Sequence, residues 1–170
     1  MATQFEGLVA IRKTLSLANN PPIQAIIDQG LVVPLITLLE NNLPEIVFES
    51  LWALTNIASG SGSDYSASIV NKGGLPKIVN LLDSEISEIQ DQAVWCIGNF
   101  AGDSASVRDK IIGLKGLDKI ISLLATTDRD SLIKHCTWTL TNFCRPEPSL
   151  PYESVKPVCF YLFILFYFIL

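Results

Sequence analysis

The chain has 170 residues, of which 49% are apolar and 17% charged. That is enough for one packed core, and the charge is too low for a disordered acidic or basic chain. The net charge of -5 argues against nucleic acid as a partner and favours cationic ones.

In chain order, the apolar spacing predicts a helix over 3–16. Three sets of three helices follow: 22–29, 32–40 and 44–59; then 64–71, 76–82 and 87–101; then 106–114, 117–125 and 131–144. Each first helix is short and ends at a glycine, namely Gly30, Gly73-Gly74 and Gly116, as expected just past a helix end. Each second helix carries apolar residues on one face, such as Ile78, Leu81 and Leu82, or Ile120, Leu123 and Leu124. A polar turn leads to a longer third helix. From residue 150 another set begins, with short helices expected over 149–155 and after Lys156. Strand alternation is absent from the pattern.

The terminal stretch is different. From Val158 to Leu170 there is no charged residue, and six of the fifteen aromatics fall between Phe160 and Phe168. As a helix, this stretch would reach roughly 20 Å, short of a hydrocarbon core of about 30 Å. It reads as an atypical apolar tail over 159–170, set apart from a repeat region over 1–158. A membrane role for it is not expected. Because its Phe and Tyr residues would run all round a helix, it is expected to promote self-association.

The sets are copies of one unit. Trp52, Trp95 and Trp138 are spaced by 43 and 43, and Asn56, Asn99 and Asn142 keep the same spacing. Leu38-Leu39, Leu81-Leu82 and Leu123-Leu124 repeat at 43 and 42. A period near 43 belongs to helical solenoids, in which no unit buries its apolar face alone and stacked neighbours share one core.

Trp and Asn at i and i+4 share one face of a helix. Stacked third helices then align the tryptophans in one row and the asparagines in another. One reading makes Trp a core residue and Asn a buried hydrogen bonder. The other starts from the cost of Asn within a helix, which three copies in register must offset with a partner. An extended peptide is such a partner, because the Asn amide can bond a peptide N–H and C=O together. Slots between successive Trp faces then suit Lys or Arg stems and their charges. Asp103, four residues after Asn99, is the best-placed acid for those slots, with Asp64 and Glu49 as weaker candidates.

The motifs Phe48-Glu49-Ser50-Leu51-Trp52-Ala53-Leu54-Thr55-Asn56-Ile57-Ala58-Ser59-Gly60, Gln92-Ala93-Val94-Trp95-Cys96-Ile97-Gly98-Asn99-Phe100-Ala101-Gly102-Asp103-Ser104 and Thr137-Trp138-Thr139-Leu140-Thr141-Asn142-Phe143-Cys144-Arg145 closely resemble the importin alpha (karyopherin alpha) family. The resemblance runs from about Thr3 to Val158. It implies an all-α, right-handed armadillo-repeat solenoid of three-helix units. It also implies binding of Lys/Arg-rich nuclear localisation signals of cargo proteins, as an adaptor for nuclear import in cytoplasm and nucleus. By the same resemblance the peptide-binding positions are Trp52, Asn56, Gly60, Gln92, Trp95, Asn99, Asp103, Trp138 and Asn142. Gly60 and Asp103 match the pocket for the key signal lysine, and Gln92 matches a polar contact one turn before Trp95. Two positions depart from the family. Tyr65, or Ser66 with a shift of one, stands where the family has a threonine, and His135 stands where it has an asparagine. Importin beta is a partner expected of the family, but its basic binding segment is not in this chain, which opens at Met1 already within the repeats.

No enzymatic site, cofactor or metal is expected. One histidine leaves little room for a histidine-based metal cage or triad. Cys96, Cys136, Cys144 and Cys159 form no C-x-x-C pair, and no secretory signal precedes them, so they read as reduced intracellular thiols. The competing function is a generic armadillo scaffold for another protein, held at a membrane through the tail.

Overall fold

The structure is a computed structural model. It describes residues 2–60, 64–153, 155–156 and 159–160, with side chains from Gln4 onward. The helices follow one another in this order among the described residues: α1 (Ala2–Leu15), α2 (Ile23–Asp28), α3 (Val32–Leu38), α4 (Pro44–Ala58), α5 (Tyr65–Val70), α6 (Gly74–Asn80), α7 (Ser87–Asp103), α8 (Ala105–Gly113), α9 (Gly116–Thr126) and α10 (Asp130–Phe143). A 3-10 turn, Leu81–Asp83, extends α6. Among the described residues there is no strand. Beyond α10, Tyr152, Glu153, Val155, Lys156, Cys159 and Phe160 are helical. The apolar stretch from Tyr161 onward lies outside the described residues.

The starts and stops have local causes. Pro44 opens α4 at the first turn, where its missing N–H is not needed. The Ser104 side chain accepts from the Val107 amide and caps α8. Gly30 and Gly73 turn the chain between first and second helices in the left-handed region, at φ 72° and 77°. In the third unit that turn falls on Lys115, at φ 64°, and not on Gly116 as the sequence pattern had it. Gly116 is the first residue of α9 and is small for another reason. A Cβ there would lie 2.5 Å from the Ile111 side chain.

The long helices α1, α4, α7 and α10 pack side by side, and the shorter helices cover one side of that layer. Leu51, Leu54, Ile57, Ile97, Phe100, Leu140 and Phe143 are fully buried along the layer, so one core runs through all the units. Polar bonds also link successive units. Lys77 pairs with Glu40 at 2.6 Å, Lys119 pairs with Asp83, and Ser131 donates to Asp91 at 2.7 Å. Arg108 is buried and donates to the carbonyls of Pro146 and Pro148 at 2.9 and 2.8 Å, which ties the segment after α10 back to α8.

Candidate functional site

Long helices on both sides leave the inner pair, α4 and α7, one narrow open stripe each. On α7, every residue from Ile89 to Ala101 is buried except Gln90, Asp91, Trp95 and Asn99. Trp95, Asn99, Gly102 and Asp103 follow at i, i+4, i+7 and i+8, a single line along the helix. Trp52 and Asn56 take the same places on α4, and Ser59 and Gly60 follow just past its end. Trp95 is 45% exposed and Trp138 39%, while Trp52 is half-buried. A Trp retained for the core would be covered, so these rings line a surface.

The asparagines have partners inside the protein. Asn99 Nδ2 donates to the Thr55 carbonyl at 3.3 Å, and Asn142 Nδ2 to the Gly98 carbonyl at 3.1 Å. Asn56 Nδ2 donates to the Ser16 hydroxyl at 2.8 Å and, more weakly, to the Arg12 carbonyl at 3.5 Å. Each bond to a carbonyl crosses 44 residues and joins one long helix to the one before. This satisfies part of the need that the sequence argument assigned to a peptide. An Asn amide has two N–H groups and an acceptor oxygen, so Asn99 keeps one N–H and its Oδ1 for another partner. Asn142 keeps less: it is 3% exposed, and its Oδ1 accepts from Arg145 at 3.2 Å.

The remaining positions differ in what they face. Gln92 is buried, and its amide donates to the Thr55 hydroxyl at 2.8 Å, which braces α7 against α4 behind the row. Gly60 lies under two side chains, because a Cβ there would come 2.5 Å from Ile23 and 2.6 Å from the Tyr65 ring. Tyr65 therefore fills the space beside Gly60, while Ser66 is buried next to Asp103. Burial pushes the Asp103 carboxyl above its ordinary value, and the nearby Ser66 hydroxyl offsets part of that rise. That hydroxyl stands outside normal hydrogen-bond geometry and is otherwise unpartnered. Asp103 is itself exposed, so its carboxylate is open to a cation, while the buried Ser66 hydroxyl is not. A cavity of about 290 Å³ opens there, bounded by Ser59, Asn99, Asp103, Trp138 and Arg145. A second, of about 600 Å³, lies beside Asn56, Gly60 and Tyr65.

Of the weaker acidic candidates, Glu49 is engaged by Arg12 at 2.7 and 3.2 Å, and Asp64 is exposed just before α5. The His135 ring lies 5.4 Å from that of Trp95, tilted by 34°, with Nδ1 buried and unpartnered. Sequence reasoning missed Arg12, whose guanidinium stacks 4.4 Å from the Trp52 ring centre. The signal was present, since Arg12 stands 40 residues before Trp52, as Thr55 does before Trp95 and Gly98 before Trp138. It also missed Gly98, where a Cβ would overlap the Trp138 ring and lie 2.6 Å from the Thr139 hydroxyl.

The thiols divide by burial. Cys96 and Cys136 are buried and pushed up to about 12 by desolvation, whereas Cys144 and Cys159 are exposed. Among the described residues, no cluster of His, Cys, Asp and Glu is placed to hold a metal ion, and no helix is long and apolar enough to cross a membrane.

Residues 19–59 and 63–102 match the Armadillo/beta-catenin-like repeat family. Importin subunit alpha-1 of Schizosaccharomyces pombe is 50% identical over 158 residues, covering 91% of this chain and 29% of that protein. Importin subunit alpha-4 of Arabidopsis thaliana is 40% identical over 155 residues, again 91% of this chain and 29% of its own length. This chain thus spans about three-tenths of the curated relatives it matches. Among solved structures, a designed armadillo repeat protein in complex with the peptide (KR)4 superposes with a TM-score of 0.80 at 28% identity, covering 92% of this chain and 62% of that one. An engineered protein superposes with a TM-score of 0.81 at 29% identity, covering 94% of this chain and 62% of the other. The chain has the armadillo-repeat fold, and nine-tenths of it aligns with importin subunit alpha proteins at 40–50% identity.

Proposed function

We propose that this chain binds basic, extended peptides of the nuclear-localisation-signal class along its Trp and Asn rows, as the cargo-recognising part of a nuclear import adaptor. The observation that carries this reading is the pairing of exposed Trp95 and Trp138 with the exposed carboxylate of Asp103, which shares a cavity with Asn99 and Trp138. Aromatic faces and a carboxylate together suit a Lys or Arg side chain, whose stem packs on the ring while its charge meets the acid. Asn99 holds the peptide backbone with its remaining N–H and its Oδ1. Asn56 offers its oxygen, Gly60 and Tyr65 border the entry to the lysine pocket, and Gln92 and Asn142 hold the helices that carry the row. A designed armadillo protein bound to (KR)4 supports the ligand class, and the names of the relatives support the import role. Residues 1–158 form the repeat region and 159–170 a separate tail. Importin beta is the expected carrier, and cytoplasm and nucleus are the expected compartments.

The test is a titration of the full chain and of Asp103→Asn with a Lys-containing basic peptide and with the same peptide carrying Ala for the central lysine. A charged hydrogen bond contributes about 1.5–3 kcal/mol, so Asp103→Asn should erase most of the Lys-over-Ala preference. An unchanged preference rejects the role of Asp103. Failure of both basic peptides to bind rejects the function and returns the chain to a scaffold role.

A further inference from the structure

We propose that Arg12 is a built-in occupant of the first tryptophan site, so that the chain leaves two of its three Trp faces to a ligand. This inference rests on the peptide-binding reading above. Three residues occupy one equivalent place, each 40 positions before the Trp of the next long helix: Arg12 before Trp52, Thr55 before Trp95 and Gly98 before Trp138. Only the first can reach back over the ring. Its guanidinium lies 4.4 Å from the Trp52 ring centre and grips Glu49 with two nitrogens, Nε to Oε2 at 2.7 Å and Nη2 to Oε1 at 3.2 Å.

The arrangement is what the row offers a basic ligand: a flat cation on the indole and a carboxylate to receive its N–H groups. Both side chains are largely covered, at 15% and 12% exposure, which distinguishes the pair from a loose surface bridge. The second interface replaces it with a neutral bond from Gln92 to the Thr55 hydroxyl, and its Trp95 is open. At the third, Gly98 has no side chain, and Trp138 settles on the bare helix with its outer part still exposed. The first ring is therefore half-covered, while the second and third stand open, at 45% and 39% exposure. Removing the Arg12 side chain bares both Trp52 and Glu49 and creates a third cation site.

Peptide length reads this out. An extended chain rises about 3.3 Å per residue and packed helices lie about 10 Å apart. A (KR)2 peptide therefore spans two sites at most, while (KR)4 reaches all three. Affinity of the full chain is measured for both peptides with wild type, Arg12→Ala, Arg12→Gln and the double variant Arg12→Ala/Glu49→Gln. The expected result is a gain of roughly 2- to 30-fold for (KR)4 with Arg12→Ala, the equivalent of one cation–π contact. (KR)2 should not gain, and the double variant should lose most of the benefit. Amide exchange at Leu8 and Ile11 reports whether α1 stays docked. Arg12→Gln keeps most of the stem and should give the same direction of change if Arg12→Ala loosens α1. Unchanged or weaker (KR)4 binding in both single variants overturns the proposal while leaving peptide binding intact. Absence of binding by wild type to either peptide overturns the underlying reading instead.

Discussion

Substituting alanine for Gly98 tests how the tryptophan row is seated. In a helix interior, Gly→Ala ordinarily stabilises by about 0.5–1 kcal/mol, because the glycine chain loses more freedom on folding. At Gly98 the new methyl would overlap the Trp138 ring and press to 2.6 Å from the Thr139 hydroxyl. That hydroxyl donates to the buried Val94 carbonyl at 2.9 Å, and the neighbouring Asn142 bond ends on the Gly98 carbonyl itself. Overpacking a filled interface costs about 1–3 kcal/mol, and one strained buried hydrogen bond adds about 1 kcal/mol. The net expectation is a loss of about 1–3 kcal/mol in urea unfolding, with a shift in tryptophan fluorescence and weaker binding of a basic peptide. Gly7 is the control, since it lies within α1 and a methyl added there would meet nothing within 4 Å. Gly7→Ala should therefore stabilise by about 0.5–1 kcal/mol. If Gly98→Ala matches Gly7→Ala in stability and leaves the fluorescence unchanged, the close seating of Trp138 on α7 is wrong.

Other expectations follow from burial and charge. Phe100 is fully buried in the middle of the shared core, so Phe100→Ala should cost about 3–5 kcal/mol in chemical denaturation. A thiol reagent should modify Cys144 and Cys159 in the folded chain and reach Cys96 and Cys136 only on unfolding, as counted by mass spectrometry. Asp103 has its folded carboxyl raised by burial, so its ionisation opposes folding, and the relief it gives at low pH is lost as pH rises through the folded value. Asp103→Asn should then be no less stable than wild type at pH 7 by thermal melting. A ligand cation favours the charged form, so affinity for a basic peptide should fall as pH drops through that raised value, and Asp103→Asn should lack this dependence.

The fold was largely legible because one period set it. The 43-residue spacing of Trp and Asn, with Pro44, Ser87 and the Leu-Leu pairs, located every long helix to within a few residues. The open stripe was legible too, since Trp and Asn at i and i+4 must share a face. What the helix pattern hid were side-chain events between units. The Asn bonds run to carbonyls 44 residues earlier, and Arg12 meets Glu49 across 37. Superposing the units places each of these partners opposite the other, so position was readable. Whether a side chain turns toward its neighbour depends on packing that a one-dimensional pattern does not carry. The left-handed turn at Lys115 was missed for a similar reason, since the neighbouring Gly116 was the natural choice for it.

The most direct measurement is a calorimetric titration of the full chain with (KR)4 and with an acidic peptide of equal length, each at low and high salt. (KR)4 should bind, added salt should weaken it because exposed charges are screened within about 10 Å at 0.1 M, Trp95→Ala should weaken it further, and the acidic peptide should not bind. Equal binding of the two peptides, or binding of (KR)4 that ignores both salt and Trp95→Ala, would contradict the peptide-binding reading.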